Sequence, residues 1–378
     1  MVMTAIAPDL LKTKQHFEIL DGLRGIAAVA VVIFHFMEFA VPDYHNNFIA
    51  HAYLAVDFFF CLSGFVIAYA YDNKLKKIGI LSFLKLRLIR LHPFVIIGSI
   101  LGLFAFVFDP FSSLYATNGA GKTFLMFLSS CLMIPYPIVH ERYFNLFHLN
   151  PPTWSLFWEY IANIFYALVL VRIRNKSLWA LTIIAATALC YEAYKSTYLG
   201  VGWGGDNIAG GGIRVFYSFL AGILVYRSKW IIKSRLGFIS MGLLLSIAFL
   251  IPFSDKVNWV TDPLIVLFYF PFLIALGAGA CITTRFKKIC NFSGEISYPL
   301  YMVHYPFLWM FLSYVEVKKP SMIEMGIITP IAVLLLIVLA YFIMVFLDIP
   351  LRNYLKDGMK KGLSNTKTFF KNRVGQGV

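Results

Sequence analysis

Long apolar runs recur along almost the whole chain, and they constrain the fold more than any other feature. Several approach the roughly 20 residues that an α-helix needs to cross a bilayer. Only 14% of the 378 residues are charged and 60% are hydrophobic, whereas a water-soluble domain carries about 25% charged residues. The pattern predicts an all-α polytopic membrane protein, and it excludes a disordered chain, a collagen and a disulfide-stapled secreted scaffold.

Ten of these runs are long enough, or nearly long enough, to span a membrane. We therefore predict about ten transmembrane helices. The ten runs are Leu23–Ala40, Ala52–Tyr71, His92–Phe108, Trp154–Val171, Ser177–Ala193, Ile213–Tyr226, Leu236–Phe253, Asp262–Cys281, Ser297–Val315 and Gly326–Leu347.

An eleventh run, Thr123–Val139, is ambiguous because it is short and ends in Pro135 and Pro137. Cytoplasmic loops of membrane proteins carry an excess of Lys and Arg, so charge can decide whether this run crosses. If it does not cross, a chain with a cytoplasmic N-terminus has all its basic clusters inside, at 72–91, 172–176, 227–235, 285–288 and after 350. We therefore predict that both termini are cytoplasmic and that 123–139 is a re-entrant segment.

The sequence divides into a transmembrane domain at 1–350 and a basic cytoplasmic tail at 351–378, which lies on the inner leaflet or is flexible. The 33 Lys and Arg residues exceed the 19 Asp and Glu residues and give a net charge of +14. In an apolar chain this excess points to anionic lipid and anionic ligands and not to nucleic acid. We expect a multi-pass protein of the inner (plasma) membrane. A homo-oligomer stays open, because an apolar helix face looks alike toward lipid and toward a second copy.

The chain contains five cysteines, an odd number, and no CxxC pair. It also has no His/Cys cluster at the spacing of metal ligands, so we expect neither a disulfide framework nor a metal site.

Ionisable side chains within membrane helices are costly unless they are paired or hydrated, which makes each one a functional candidate. The first run carries Arg24 at its start and His35 eleven residues later. Eleven residues of helix return to nearly the same face about 16 Å further along. Glu38 follows His35 by three residues and can reach it on that face.

Two carboxylates in other helices are predicted to lie near the depth of His35. Asp57 in the second run and Glu159 in the fourth each lie about five residues from the outer end of their helix, as His35 does. We interpret the three as a functional cluster, in which a carboxylate orients the imidazole. The alternative for the carboxylates is a polar clamp between helices.

Arg87 and Arg90 are three residues apart and so share a helix face at the cytoplasmic surface. A guanidinium pair at this spacing suits phosphate oxygens. Lipid anchoring explains the same pattern without a ligand.

Five sequence blocks, taken in order, resemble the integral-membrane acyltransferase 3 family. LDGLRGIAAVAVVIFHF (20–36) is similar to that family's Arg-x10-His signature. Four more blocks match along the chain, and the resemblance extends from Leu20 to about Leu347. They are DFFFCLSGFVIAY (57–69), RLIRLHP (87–93), TWSLFWEY (153–160) and ISYPLYMVHYPF (296–307).

The resemblance implies a membrane O-acyltransferase that moves an acyl group from cytoplasmic acyl-CoA to a hydroxyl of a glycan on the far side. Acetyl-CoA is the commonest donor among relatives, and no bound cofactor is implied. The resemblance also implies that His35 is the essential histidine, Arg24 its partner, and Arg87 with Arg90 the coenzyme A phosphate contacts.

From these residues we hypothesise that His35 acts as general base, because a neutral imidazole suits that role near pH 7. Glu38, Asp57 or Glu159 would orient the imidazole. An acyl-enzyme on Ser63, Ser155 or a tyrosine is the alternative mechanism, although the chain has no GxSxG motif. Arg24 either contacts the donor or pairs with Asp21.

Three more residues are candidate substrate contacts. Trp154 lies where a tryptophan could stack on a sugar or simply anchor the helix, and Arg214 lies at the external end of its helix. His304 is a candidate channel residue, with core packing as its alternative. A proton-coupled transporter of a small polar or glycan substrate is the alternative function, although the paired broken helices of such proteins are not evident.

Overall fold

The structure is a computed structural model that describes residues 16–359, and all regular structure among them is helical. Seven helical segments in this range are long and apolar enough to cross a membrane, so the chain is a multi-pass membrane protein. The helices are α1 Glu18–Ala40, α2 Ala55–Tyr71, α3 Leu75–Ile78, α4 Ile80–Val107, α5 Leu114–Leu132, α6 Thr153–Phe165, α7 Asn175–Ser196, α8 Ile208–Arg227, α9 Phe238–Phe249, α10 Asn258–Leu264, α11 Phe270–Ala278, α12 Thr284–Lys318 and α13 Met322–Ile343.

Two parallel helix pairs form the centre of the bundle. α1 lies along α12, so that Arg24 contacts Gly294 near the start of both helices and Phe39 stacks on Trp309 near their ends. α2 lies along α8, where Gly64 and Gly222 face the partner backbone so closely that a methyl group at either would overlap it. Small residues at such crossings let helix backbones approach, which is the usual packing mode in membranes.

α1 and α2 run antiparallel, and the bundle therefore has two distinct ends. Phe17 packs against Tyr69, and Phe34 packs against Tyr53. At one end, which we call the basic end, Arg227 bonds Asp72 and also the Leu170 carbonyl, so α2, α6 and α8 all finish there. The basic clusters that follow α2, α6 and α8 begin at this end, and Lys287, near the start of α12, pairs there with Glu18. We call the opposite end, where α1 finishes, the His35 end.

The ambiguous segment at 123–139 does not form one long helix. α5 ends at Leu132, where Met133 adopts a left-handed conformation, and an extended stretch follows. α5 packs on the second half of α4, and Met126 contacts Leu149 and Val139 in a small separate core. The helix and the extended stretch thus form a hairpin beside α4.

The next stretch, residues 145–152, is buried throughout although it belongs to no long helix. The Asn150 side chain donates to the Met302 carbonyl at 2.9 Å, and Ser155 shares a 2.8 Å hydrogen bond with the Tyr301 hydroxyl. Because Tyr301 and Met302 lie just before His304, α6 begins at about the depth of His304 and not at the surface of the bundle.

Candidate functional site

The Glu38 carboxylate holds the His35 imidazole in place near the end of α1. His35 Nδ1 lies 2.9 Å from Glu38 Oε2, as the i, i+3 spacing predicted. Tyr44, in the loop after α1, donates to the other carboxylate oxygen at 2.6 Å. Burial, with the adjacent Glu38 carboxylate, holds the pKa of Tyr44 well above its usual range, so the phenol stays a donor. Three groups thus form a chain of hydrogen bonds.

The His35 ring keeps one nitrogen available. Nδ1 faces a carboxylate, which can only accept, so in the neutral ring Nδ1 carries the proton and Nε2 has a lone pair. Within residues 16–359, Nε2 makes no hydrogen bond. The side chain is 21% exposed, which leaves that lone pair open to a ligand.

Aromatic rings from α12 enclose the imidazole. His304 stacks on His35 with ring centroids 5.6 Å apart, and Tyr305 meets it edge-on at 4.8 Å. His304 is fully buried, and its Nδ1 lies 3.1 Å from the Leu300 carbonyl. The structure therefore places His304 against the His35 ring, where it is packed in the core and also lies beside the candidate site.

Asp57 does not approach His35, and the prediction that it orients the imidazole is wrong. Arg214 bonds both of its oxygens, at 2.5 and 3.2 Å, while also donating to the Tyr53 and Val201 carbonyls. Both side chains are closed to solvent, at 0% and 2% exposure. The polar clamp between helices, considered as the alternative, describes this pair.

The predicted acceptor contacts Arg214 and Trp154 lie inside the same clamp. The guanidinium lies 5.5 Å from the centre of the Trp154 ring, and both side chains are buried. With its donors committed to Asp57 and two carbonyls, Arg214 offers nothing to a glycan. Both residues are buried because the segments after α7 and before α2 fold over them and supply the Val201 and Tyr53 carbonyls.

Glu159 also lies away from His35, which corrects the depth predicted for it. Its carboxylate accepts from Ser63 at 2.5 Å, from Arg87 at 3.1 Å and from Asn163 at 3.1 Å. Because α6 begins deep in the bundle, Glu159 falls further toward the basic end than a helix starting at the surface would place it. It therefore does not orient the imidazole.

The two arginines of the RxxR spacing have different surroundings. Arg87 is bound by Glu159 and is largely buried. Arg90 is exposed. Its guanidinium is repelled by the positive charges of Arg87, Arg24 and Arg352. No ion pair links Arg90 to an acidic residue in the described part of the chain. Arg90 is thus the better placed of the two for an anionic ligand.

Arg24 joins α1 to α12 at the basic end. It donates to the Ser297 hydroxyl at 2.9 Å and to the Gly294 carbonyl at 2.5 Å, and it pairs with Asp21 at 3.1 Å. The pairing alternative is therefore present. The side chain remains 26% exposed, so it can also face a ligand.

Two site residues were missed from the sequence. Tyr44 lies beyond the end of α1, and Tyr305 follows a histidine that we considered alone. Only Tyr305 carried a signal, because it adjoins His304 in a block already singled out. No group of three His, Cys, Asp or Glu side chains that could hold a metal ion occurs between residues 16 and 359.

Comparisons with known proteins agree with the sequence blocks. The family model described as an acyltransferase domain matches residues 17–349. "Protein 2 in picA locus" of Rhizobium radiobacter is 34% identical over 190 residues, which are 47% of this chain and 95% of that protein. "O-acetyltransferase OatA" of Staphylococcus aureus is 24% identical over 368 residues, covering 90% of this chain.

The chain spans just over half of OatA, 57% of its length. No solved structure matches the chain. The family model covers nearly all of the described residues, including His35, Glu38 and both arginines of the RxxR spacing. The chain belongs to the acyltransferase 3 family.

Proposed function

We propose that this protein is a membrane O-acetyltransferase that moves an acetyl group from acetyl-CoA at the basic end to a glycan hydroxyl at the His35 end. One observation carries the proposal: a partly exposed imidazole whose Nδ1 is held by Glu38 and whose Nε2 is free. Family membership and the O-acetyltransferase named among its relatives support the reaction class.

His35 acts as the general base. Its Nε2 takes the proton of the acceptor hydroxyl while the oxygen attacks the thioester carbon, and Glu38 stabilises the imidazolium that forms. The C–S bond then breaks, and the imidazolium returns the proton to the leaving thiolate. Proton transfer of this kind contributes about 10²–10⁴-fold to a rate. Atoms and charges balance without an acyl-enzyme.

The donor enters from the basic end. Arg90, with Arg24 nearby, presents positive charge for the coenzyme A phosphates, and Arg87 becomes a phosphate contact only if it leaves Glu159. α2 supports a path for the pantetheine arm: this central helix has a partly exposed stripe at residues 59, 63, 66 and 70. The stripe faces Glu159 through Ser63 and Tyr301 through Phe59. It therefore leads from the basic end toward His304.

We propose ten membrane crossings with both termini cytoplasmic. Helices α6, α9 and α12 would add three crossings to the seven candidate spans, and α5 would form a re-entrant hairpin with the stretch after it. The positive-inside rule makes the basic end cytoplasmic, which suits an inner (plasma) membrane protein. Residues 1–350 would act as one transmembrane unit, and most of the basic tail at 351–378 lies outside the described residues.

Acetyl transfer by the purified protein tests the proposal. With labelled acetyl-CoA and an envelope glycan extract, His35→Ala should lower both labelling and thiol release by about 10²–10⁴-fold. The matched control is His45→Ala, because His45 is an exposed histidine paired with Asp255 on the surface. Full activity in the His35→Ala protein would rule out the base, and failure of the wild-type protein to release thiol would rule out the reaction.

A further inference from the structure

Three tyrosine hydroxyls near Glu38 make no hydrogen bond within the described part of the chain. Tyr143, Tyr198 and Tyr305 come from three separate parts of the chain, and none makes a hydrogen bond to residues in 16–359 through its hydroxyl. Tyr305 is as buried as Tyr53 and Tyr301, both of which do bond. The Tyr305 hydroxyl is not among the fully buried side-chain atoms without a partner, so water or a ligand can reach it and complete its hydrogen bonding.

The same three phenols surround the reactive pair. Burial raises the pKa of Tyr198, and the Glu38 carboxylate adds to the rise. Burial also raises the pKa of Tyr143, with the Glu316 and Glu38 carboxylates adding to it. Tyr305 touches the His35 ring directly. The Tyr198 ring also meets the Tyr44 ring edge-on, with centroids 6.3 Å apart. The His35 and Glu38 side chains are 21% and 27% exposed, so the space between these phenols is open to solvent, and we call it the opening.

Backbone hydrogen bonds build the rim around this opening. Leu146 donates to the Trp203 carbonyl and Gly205 donates to the Phe144 carbonyl, both at 2.9 Å. These bonds tie the loop of Tyr143 to the loop after α7. Tyr143 is 55% exposed in its solvent-facing loop and meets the Trp203 ring edge-on, with centroids 6.4 Å apart. Tyr143 and Trp203 thus add aromatic faces beside the opening.

The charges near the opening do not favour an anion. Arg142 is buried and bonds Glu316 and Ser313, and Arg214 is committed to Asp57. The Glu38 carboxylate lies at the floor beside His35. An acceptor that carried its own carboxylate close to the reacting hydroxyl would meet like charge there.

We propose that this opening, lined by Tyr143, Tyr198 and Tyr305, binds a neutral sugar ring of the acceptor. The ring packs on the aromatic faces and its hydroxyls bond the free phenols, since each phenol can both donate and accept. This inference rests on the proposed acetyl transfer and names the site and class of its acceptor.

Acetyl transfer to simple glycosides tests the inference. The purified full chain is assayed with labelled acetyl-CoA and methyl glycosides of glucose, galactose and N-acetylglucosamine, against methyl glucuronide as the anionic counterpart. We expect kcat/KM for at least one neutral glycoside to exceed that for the glucuronide by about tenfold or more. Tyr143→Phe, Tyr198→Phe and Tyr305→Phe should each raise the KM for that glycoside about three- to tenfold.

The KM for acetyl-CoA should move less than twofold in these variants. Tyr194→Phe is the matched control, because Tyr194 is an exposed tyrosine that packs on Trp259 away from the opening. Equal use of the glucuronide, transfer to none of the neutral glycosides, or unchanged KM in all three variants would overturn the inference. The proposed function is tested separately by His35-dependent thiol release from acetyl-CoA with the envelope glycan extract.

Discussion

Two pairs of ionisable residues, Asp57 with Arg214 and His35 with Glu38, show how differently membrane helices can hold charge. In the first pair both side chains are sealed from solvent, and the guanidinium is bonded to Asp57 and two backbone carbonyls. In the second pair both side chains are more than a fifth exposed, and one ring nitrogen is free. The first pair joins helices, and the second can react.

The difference shows that position in a membrane helix does not by itself mark a functional residue. In both pairs, placing a charged side chain within the membrane costs free energy, and a partner offsets that cost. The two pairs differ in whether a polar atom remains without a hydrogen-bond partner. Asp57 and Arg214 use theirs on each other and on the backbone, whereas His35 keeps a lone pair.

The largest effect should follow from breaking the sealed pair. Arg214→Ala leaves the Asp57 carboxylate buried without its partner, which should cost about 3–5 kcal/mol of stability. Thermal unfolding of the purified protein in detergent would show a markedly lower midpoint and a lower folded yield. The acetyl-transfer rate per folded molecule should stay within about twofold.

Replacing both partners sharpens this comparison. Asp57→Leu combined with Arg214→Met removes both charges, so the double variant should recover much of the lost stability. Lys195→Ala removes an unburied positive charge near the end of α7 and is the matched control. If Arg214→Ala unfolds at the wild-type midpoint, the pair does not hold the helices together.

The open pair should give the next largest effect, on rate and not on stability. In Glu38→Gln, the amide can still accept a hydrogen bond from Nδ1, but it cannot neutralise the imidazolium. We expect kcat to fall about 100-fold, which corresponds to roughly 2.7 kcal/mol in the barrier. Initial rates with saturating acetyl-CoA measure it.

The unfolding midpoint of Glu38→Gln should remain near that of the wild-type protein. An unchanged kcat with a lowered midpoint would instead make Glu38 a structural clamp of the same kind as Asp57.

The sequence predicted what depends on spacing within one helix. His35 and Glu38 bond as expected, because three residues of helix bring two side chains to one face. The all-α membrane fold also follows from the apolar runs, since hydropathy reports burial in lipid directly.

The sequence did not predict how helices are offset along the membrane normal. Residues 145–152 contain polar side chains and two prolines and resemble an external loop, yet they are buried and satisfied by bonds such as that from Asn150 to Met302. That descent lowers the start of α6 and brings Glu159 to Arg87. The contact of Tyr44 with Glu38 depends on where the loop folds back after α1 ends. The periodicity of apolar residues along the sequence does not predict this position.

The buried His148 can be compared with the partly exposed His35, and we expect a smaller effect there. His148 is buried against Trp309, and burial lowers its pKa to about 3. A histidine in the unfolded chain has a pKa near 6.5. Between about pH 3 and about pH 6.5 the unfolded chain therefore binds more protons than the folded protein. Stability is therefore full above about pH 6.5 and falls as pH drops, by about 2 kcal/mol at pH 5.

Unfolding midpoints at pH 7 and pH 5 measure this dependence. His148→Phe keeps a ring against Trp309 but cannot titrate, so its midpoint should fall less on acidification. An equal fall in both proteins would assign the acid sensitivity to other groups.

The smallest effect should come from the outermost member of the open pair's hydrogen-bond chain. Tyr44→Phe removes only the hydroxyl that donates to Glu38 Oε1 at 2.6 Å, and the ring still packs on Phe34 and Phe253. Loss of one hydrogen bond to a charged group that retains its other partner should lower kcat about three- to tenfold. Because Glu38 then becomes less well fixed but stays ionised, kcat should fall while the KM for acetyl-CoA is unchanged. A loss as large as that of Glu38→Gln would mean that Tyr44 itself takes part in proton transfer, and the reactive group would then extend from the helix into the loop.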